Sequence, residues 1–566
     1  MNTKDISMRN PHVLLLSVAV VIFSCFAVFY FWGTELTKFS GRSSEYALLE
    51  DTLSTEDQKG IAYFAFGDFS ALDSDSLRVS ASPWKLSTAA LALAAADGEL
   101  NDISTDQVPH IFRQYGFHFP ERIGNWPEDL AAPELLWPLG QNVGYAKGHM
   151  LPIGVTIGNI GCAACHSSVM YTADGSPDLD RVWLGMPNGS INLEAYTQAL
   201  FQAMLDYGVN TELMLAAVDR LYPETSLSEA FTLRWFILPE MKALIAKRNS
   251  EFGRLLPFRT SLAGATNGLD SLKRRLGLIP EGAVLTESIF NSVPDLGGRL
   301  WRTKLLNTGT YAIPNIDRNA TIWPADIDEG HRRDLAGIIA YFTVPSMGVK
   351  TEVALTSIEP SLWITRWMQH YKPQPFPGDI DRALLPLGKQ VYAQNCASCH
   401  GTYSDNLDAP ELLSFPNWEG NVGTDPQRAL LLTKEIADTV NSSLFGQHIS
   451  ARTVTSYTAP PLTGIWASAP YFHNGSVPTL WHLMNPESRP TRFKVGGHRL
   501  DLDLVGIAGI DDGEGGWLPP DDHSPWSIPA DVDTNAFGLS KSGHEQEFVH
   551  LSEDQKLALL EYLKLL

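Results

Sequence analysis

Hydrophobic positions recur at helical spacing in several segments of the chain, whereas convincing alternation of apolar and polar residues is rare. Residues 190–207 place apolar side chains at intervals of three and four, which predicts a helix. A second predicted helix covers residues 425–437, with Pro426 in its first turn. Near the C-terminus, Ser552 and Gln555 form a possible capping box before leucines at helical spacing. The pattern therefore predicts a mainly α fold.

One segment is apolar without interruption. Residues 13–32 contain no charged side chain and have about the length of a helix that spans a bilayer. No small-residue cleavage site follows, so the segment is predicted to be an uncleaved transmembrane anchor, with residues 1–12 as a cytoplasmic tail. Cys25 lies inside this segment and is most simply a small apolar residue there.

Composition bounds the rest of the chain. The 566 residues are 44% hydrophobic, which is enough to bury a large core and favours two or more domains. The 36 prolines and 45 glycines predict long loop-rich insertions. A net charge of −22 disfavours nucleic acid as a partner and favours a basic or neutral redox protein.

Two short motifs carry the clearest chemistry and use four of the five cysteines. Both have the pattern Cys-x-x-Cys-His, namely Cys162-Ala-Ala-Cys165-His166 and Cys396-Ala-Ser-Cys399-His400. This spacing attaches haem covalently, because two thiols bond to its vinyl groups and the adjacent imidazole reaches its iron. The sequence therefore predicts two covalently bound haem c groups, with His166 and His400 as proximal iron ligands.

A structural zinc site and a thioredoxin-type redox pair are the alternatives for these motifs. Two Cys-x-x-Cys pairs could supply four thiolates to a zinc ion, but zinc ribbons place their pairs about 15 to 20 residues apart. A thioredoxin-type redox pair functions as a single motif, so it does not explain the second copy. Neither alternative accounts for a histidine after each second cysteine.

Haem attachment also predicts the compartment. As a general expectation, c-type haems are joined on the outer face of bacterial inner membranes. The sequence therefore predicts a single-pass inner-membrane protein with the bulk of its chain, from about residue 40, in the periplasm.

The region around the second motif has the order of a cytochrome c domain. A predicted helix over residues 387–396 enters the motif, and another ends the chain, as expected for the two crossing helices of such domains. Gly388 would allow a close crossing. The proline-rich segment 371–378 is the predicted hinge. The predicted domains are therefore an N-terminal haem domain with insertions over residues 40–370 and a C-terminal cytochrome c domain over residues 380–566.

The segment 461–480 carries a family resemblance. It begins Pro-Leu-Thr-Gly-Ile-Trp, continues through Pro-Tyr-Phe-His-Asn-Gly, and is followed by Arg489-Pro490. With segments 151–154, 184–188 and 422–426, it resembles the di-haem cytochromes related to bacterial cytochrome c peroxidases, and most closely their RoxA-like (rubber oxygenase-like) branch.

This resemblance implies that one haem relays electrons with both axial positions filled, while the other keeps an open position. For the second haem it implies His544 as the distal ligand, because RoxA-like relatives have a Gly-His shortly before the terminal helix. The residues after His544 depart from the pattern of these relatives. His473 is the alternative ligand, although a histidine in such a turn more often fixes a loop or a haem propionate.

The sequence leaves two alternatives for the distal position of the first haem. The sequence contains no histidine between His166 and His331, so the site is either open or closed by a methionine. The candidate ligands are Met170, Met186, Met150 and His149. We favour an open site, whose catalytic region is the distal face of the haem on His166.

The predicted function is that of a peroxidase-type oxidoreductase. Hydrogen peroxide would be reduced at the first haem, with the second haem as electron relay and a small cytochrome or cupredoxin as electron donor. The alternatives are a RoxA-like dioxygenase acting on an apolar substrate and a non-enzymatic electron-transfer cytochrome. Trp183, Trp301 and Trp466 are candidates to bridge the haems.

Overall fold

The structure is a computed structural model that describes residues 38–72, 74–75, 81–149, 153–254, 262–266 and 291–566. It contains 41% helix and 16% strand. The described strands form eight small sheets. The prediction of a mainly α fold after one transmembrane helix is therefore wrong. Most of the strands have two to four residues, which is too short for the alternation by which a sequence reveals a strand.

The predicted membrane anchor is also corrected. Among the described residues, none of the helices is long and apolar enough to cross a membrane. The predicted span 13–32 and the predicted tail 1–12 themselves lie outside the described residues. A single-pass inner-membrane anchor, and the localisation that depends on it, therefore have no support in the structure.

The helices fall into two groups along the chain. Those up to residue 254 are α1 Ser44–Leu49, α2 Glu56–Phe66, α3 Trp84–Ala95, α4 Val108–Arg113, α5 Cys162–Cys165, α6 Leu193–Asp206, α7 Thr211–Leu221, α8 Leu227–Thr232 and α9 Leu238–Phe252. Those from residue 291 onward are α10 Glu329–Met347, α11 Thr351–Ala354, α12 Ile358–His370, α13 Leu385–Asn395, α14 Ala397–His400, α15 Gln427–Leu430, α16 Lys434–Ser442, α17 Leu480–Met484, α18 Glu545–Phe548 and α19 Glu553–Leu563.

The strands are short except around the first motif. In the first part of the chain they are β1 Lys38–Ser40, β2 Ser74–Asp75, β3 Ser82–Pro83, β4 Arg122–Ile123, β5 Gln141–Gly148, β6 Gly154–Ile160, β7 Ser167–Tyr171, β8 Pro177–Leu184 and β9 Ala265–Thr266. The others are β10 Asn291–Ser292, β11 Lys304–Leu305, β12 Tyr311–Ala312, β13 Thr402–Tyr403, β14 Leu412–Ser414, β15 Glu419–Gly420, β16 Ser450–Ala451, β17 Tyr457–Thr458, β18 Arg492–Val495, β19 Leu500–Asp501, β20 Gly506–Ile507, β21 Ile510–Asp511, β22 Gly516–Leu518 and β23 Ala530–Asp533.

Two sheets hold the first motif between them. The five-stranded sheet has the order β2-β1-β5-β6-β3, and its long antiparallel pair aligns Gln141 with Ile160. The three-stranded sheet has the order β4-β8-β7. Because β6 ends just before α5 and β7 begins just after His166, the motif is a short helical connection between two sheets.

The predicted helices have different outcomes. The helix over 190–207 is confirmed as α6, and Ser552 with Gln555 forms the predicted capping box of α19. The helix over 425–437 is instead broken into α15 and α16, the second capped by the Thr433 hydroxyl, which accepts a hydrogen bond from the Ile436 amide. The cap gives α16 its own start, which the apolar spacing alone does not reveal.

Apolar side chains form three buried clusters. One surrounds α2, α10 and α12, and it also takes Leu432, Ile436 and Phe445 from beyond the second motif. The second cluster contains α13, α19 and the segment around Trp466. The third lies among α3, α6, α7 and the β5-β6 pair. The first cluster also contains Ala163 of the first motif, so the buried side chains of the cluster around this motif come from distant parts of the chain.

The chain contains the same helix crossing twice. Helix α2 crosses α12, and helix α13 crosses α19. A methyl group added at Gly60 would lie 2.2 Å from the Trp363 carbonyl oxygen, and one added at Gly388 would lie 2.0 Å from the Ala558 carbonyl oxygen. Each crossing therefore needs a glycine where the two backbones meet. The close crossing expected at Gly388 is confirmed.

The predicted hinge, residues 371–378, is bonded to the chain on either side of it. We call the residues before this segment the first half and those after it the second half. The indole Nε1 atoms of Trp183 and Trp466 donate hydrogen bonds to the carbonyl oxygens of Lys372 and Gln374, at 2.9 and 3.1 Å. The Gln374 side chain also bonds to the backbone of Tyr171. These bonds fix residues 372–374 against strands β7 and β8 on one side and against Trp466 on the other.

Candidate functional site

Both motif histidines lie against a loop with the same design. The loops begin at Pro294 and Pro460, and each has a leucine two residues later and a glycine four residues later. Gly298 and Gly464 adopt left-handed conformations, with φ of 68° and 75°, and each starts a 3-10 turn. We call residues 294–301 the first proximal loop and residues 460–467 the second proximal loop.

The proximal loops bind the histidines in the same way. His166 Nδ1 lies 3.1 Å from the Pro294 carbonyl oxygen, and His400 Nδ1 lies 2.7 Å from the Pro460 carbonyl oxygen. Burial lowers the pKa of His166 to about 4 and also lowers the pKa of His400. The imidazoles are therefore neutral, donate Nδ1–H to a carbonyl and keep Nε2 for a metal ion.

The cysteines suit haem attachment better than zinc binding. Burial raises the pKa of Cys162, Cys165 and Cys396 to about 12, and the thiols of both motifs are free. A structural zinc site at these motifs would require four thiolates around one ion. Across the described residues, no group of three or more His, Cys, Asp or Glu side chains could hold a metal ion. The four-cysteine zinc alternative is therefore not supported.

The structure brings His544 to His400. Their ring centroids are 6.4 Å apart, with an angle of 33° between the rings. Two imidazoles on opposite sides of one metal ion, each bonded at about 2 Å, have centroids about 6 Å apart. His544 Nδ1 is buried and has no hydrogen-bond partner within the described part of the chain. The pair thus has the spacing for an ion bound from both sides.

Arg489 holds the loop that carries His544. This buried guanidinium donates to the carbonyl oxygens of Lys541 and Gly543, at 2.6 and 2.9 Å, and to the Glu545 carboxylate. The His544 amide donates to the Val422 carbonyl oxygen at 2.8 Å. His544 itself has a left-handed conformation, with φ of 61°. The loop is therefore held by charge-assisted bonds.

His473, the alternative ligand, lies elsewhere. Its ring packs on Tyr457 with a centroid distance of 4.2 Å, and its Nδ1 is 3.5 Å from the Thr424 hydroxyl. Burial, with Arg428 nearby, lowers its pKa to about 3. Among the described ring contacts, it is His544 and not His473 that faces His400.

The first site differs on the side opposite its motif histidine. Among the described residues, no second imidazole lies within ring-contact distance of His166. His149 is bonded to Ser40. Met186 follows Gly185, whose amide donates to the His166 carbonyl oxygen, and Met170 packs at Gly124 and Trp183. Met150 lies outside the described residues. The ligand role of each methionine stays untested.

The internal repeat also identifies the counterpart of His544. In the second half, left-handed His544 is followed by the short helix α18 and then by α19. In the first half, left-handed Gly348, with φ of 73°, is followed by the short helix α11 and then by α12. The segment that corresponds to His544 by chain order is thus residues 348–350, Gly-Val-Lys, which contains no histidine.

The tryptophans predicted to bridge the sites have structural contacts. Trp183 and Trp466 donate to the 372–374 segment, and Trp466 is 1% exposed. Trp301 ends the 3-10 turn of the first proximal loop, and its carbonyl oxygen accepts from Asn417 at 3.0 Å. Any role of these side chains in electron transfer stays a prediction.

The residues present fit a covalently bound haem at each motif. Each site combines two free thiols, a neutral imidazole oriented by a carbonyl and an apolar cluster around the motif. At the second site, the buried imidazole of His544 also suits a haem, because it lies at the ring spacing expected for two imidazoles on one ion. Sequence reasoning missed Pro294 and Pro460, although the repeated Pro-x-Leu-x-Gly pattern could have revealed them.

Comparison with known proteins links the second proximal loop to cytochromes c. Residues 456–494 match a family model described as RoxA-like, cytochrome c-like. The match includes Pro460 and Arg489, which contact His400 and the His544 loop. Residues 456–494 are therefore similar to a RoxA-like, cytochrome c-like family, which supports a cytochrome c link and implies haem c.

Two curated relatives come from Sinorhizobium fredii and are named as uncharacterised proteins. The protein y4iM is 28% identical over 226 residues, which are 34% of this chain and 48% of the relative. The protein y4iJ is 28% identical over 279 residues, which are 38% of this chain and 42% of the relative. The matched region thus spans about half the length of these relatives or less, and neither name states an activity.

Proposed function

We propose that this protein is a di-haem c-type oxidoreductase with unequal haem sites. The first site consists of Cys162, Cys165 and His166, and the second of Cys396, Cys399, His400 and His544. The supporting observation is the difference on the distal side: His544 lies 6.4 Å from His400, whereas the corresponding residues 348–350 of the first half include no histidine.

The second site is proposed to hold and relay an electron. His400 and His544 would bind the iron from both sides, so that no position is left for a substrate. Arg489 and Phe472 support this role, because the first holds the loop and the second stacks on the His544 ring at 5.7 Å.

The first site is proposed to react with hydrogen peroxide. His166 would bind the iron and take its orientation from the Pro294 carbonyl. The haem, when bound, supplies a one-electron couple and an iron position that accepts a peroxide oxygen. Reduction of hydrogen peroxide to two waters consumes two electrons and two protons, and a small cytochrome or cupredoxin would supply the electrons.

A second candidate is favoured by one comparison. The match to a RoxA-like model, together with the apolar cluster that contacts Cys162, supports a dioxygenase that acts on an apolar substrate at the first site. Both candidates require an open first site. A pure electron-transfer cytochrome does not.

Electron paramagnetic resonance of the ferric holoprotein tests the proposal. We expect one high-spin signal from the first site and one low-spin signal with two imidazole ligands from the second. Hydrogen peroxide consumption with a reduced small cytochrome is then measured against oxygen uptake with an apolar olefin. Two low-spin haems that bind no cyanide would contradict an enzyme and leave the electron-transfer function.

A further inference from the structure

The two proximal loops share a backbone but differ in charge. When Pro294 is aligned with Pro460, the leucines and the left-handed glycines coincide. Asp295 then corresponds to Pro461, and Arg299 corresponds to Ile465. A carboxylate and a guanidinium are thus present in the first loop at positions where the second is apolar.

Asp295 is buried, and both oxygens of its carboxylate accept hydrogen bonds. The residue is 3% exposed. Its Oδ1 accepts from the Gly297 amide at 2.6 Å, and its Oδ2 accepts from the Tyr371 hydroxyl at 3.0 Å. The Arg299 Nε donates to the Asp295 backbone carbonyl at 2.7 Å. These bonds fix the carboxylate and the backbone carbonyl of Asp295, the residue that follows Pro294.

The surroundings of Asp295 come from three elements. Tyr371 follows helix α12, and Arg299 belongs to the same loop as Asp295. From the second proximal loop, Gly464 packs on the carboxylate so closely that an added methyl group would lie 2.5 Å from Asp295 Cγ. Thr463 of that loop is uncharged. Arg299 is therefore the one cation, and Tyr371 the one titratable hydroxyl, that face Asp295 within the described structure.

We propose that Asp295 is a positioning residue for His166. It fixes the Pro294 carbonyl that orients the imidazole, and it adds a negative charge that the second proximal loop lacks. Arg299 and Tyr371 hold Asp295 in this position. The inference rests on the proposed haem at the first motif, but it does not depend on whether that haem is catalytic.

Two substitutions separate the roles of shape and charge. Asp295→Asn removes the charge but keeps the size of the side chain and one oxygen acceptor for the Gly297 amide, while its NH2 group donates to the Tyr371 hydroxyl oxygen. Asp295→Ala removes both the charge and these side-chain bonds. Burial raises the pKa of the Asp295 carboxyl to about 7, so measurements at pH 8 keep the wild-type residue mainly ionised. A lost negative charge disfavours the oxidised haem, because the ferric centre carries one positive charge more than the ferrous centre.

The readouts are the reduction potential of the first haem and its ferric paramagnetic resonance g-values. We expect Asp295→Asn to raise the potential, so that the ratio of reduced to oxidised first haem at a fixed potential increases roughly tenfold. The g-values should stay near those of the wild type. We expect Asp295→Ala to change both the reduction potential and the g-values of the first haem. Tyr371→Phe should change both by less. His544→Ala assigns the signals, because it changes the second haem alone.

Glu45→Gln is the matched control. Burial also raises the pKa of Glu45 to about 7, but its carboxylate bonds to the Trp137 amide and to neither proximal loop. The control should leave the first-haem potential unchanged. If the first-haem potential of Asp295→Asn equals that of the control, the proposal that the charge of Asp295 acts on the first haem is wrong. Unchanged g-values in Asp295→Ala, or in Tyr371→Phe if the alanine variant does not fold, overturn the positioning role. The spin state of the wild type decides the proposed enzyme separately.

Discussion

The two halves of the protein share a proximal side and differ on the distal side. Each has a glycine-dependent helix crossing, a Cys-x-x-Cys-His motif and a Pro-x-Leu-x-Gly loop whose carbonyl binds the histidine. Opposite the histidine, the second half presents His544, and the corresponding segment of the first half, residues 348–350, contains no histidine. The common part suits any c-type haem, so a difference in chemistry between the sites would come from the distal residues and from the two charged side chains that only the first proximal loop carries.

Removing one pair of thiols has the largest expected effect. Cys162→Ala with Cys165→Ala should abolish covalent haem at the first motif and halve the haem content, because each thiol forms one thioether bond. Cys396→Ala with Cys399→Ala should also halve it. Pyridine haemochrome absorbance and haem staining measure the content. A wild-type value of one haem per chain would contradict the equivalence of the motifs.

The difference between the sites depends on His544. We expect His544→Ala to convert the low-spin signal of the second haem to high spin, because an axial imidazole is lost. His473→Ala is the matched control and should keep the low-spin signal, since that ring packs on Tyr457. Paramagnetic resonance of both ferric variants measures the outcome. If the control and not His544→Ala lost the signal, the assignment of the ligand would be reversed.

The helix crossings test how far the two halves are equivalent. Gly60→Ala and Gly388→Ala each force a methyl group onto a backbone carbonyl, and overpacking of this kind costs about 1 to 3 kcal/mol. Denaturant unfolding of the holoprotein measures the loss. Gly330→Ala in α10 is the control, because its nearest neighbour is the Asp328 side chain at 3.3 Å. The control should be neutral or slightly stabilising. A neutral effect of either crossing variant would argue against the repeated crossing.

The smallest expected effect concerns pH. Burial raises the pKa of Glu45 to about 7, so ionising this carboxyl costs stability. A raised carboxyl pKa contributes stability that is complete below the unfolded pKa and is lost as pH rises through about 7. Glu45→Gln should therefore be more stable than the wild type at pH 8, by on the order of 2 kcal/mol, and by much less at pH 5. Urea unfolding at both pH values measures this difference, and an equal effect at both would refute it.

Among the described residues, the carboxyl groups with raised pKa lie in the first half. They are Glu45, Asp295 and Asp334, each raised mainly by burial. Carboxylates of the second half, such as Asp405 and Asp512, have pKa values lowered by bonds to Lys389 and Arg492. A rise in pH from about 4 to neutral is therefore expected to weaken the contacts around these three carboxyls of the first half.

Local signals in the sequence were sufficient for part of this structure. Helix α6 and the capping box of α19 depend on spacing within a few residues, and the sequence predicts them correctly. The haem attachment predicted from the two motifs stays a prediction. The association of His544 with His400 came from a family resemblance, and the geometry brings the two rings together. The assignment of His544 as an iron ligand stays a prediction.

The remaining features depend on contacts between distant residues. Strands such as β11 and β12 have two residues each and exist because distant segments meet. The proximal carbonyls are separated from their histidines by 128 residues in the first half and 60 in the second. No periodicity over a short window reports such a contact. The predicted mainly α fold failed for this reason.

The helix crossing of the first half has a consequence for the order of folding. In the second half, α13 leads directly into its motif, whereas residues 67–161 separate α2 from the first motif and residues 167–357 separate that motif from α12. Closing longer loops costs more chain entropy and slows the search for contacts. We therefore expect the α13-to-motif unit to assemble early and the pocket around His166 to be completed late.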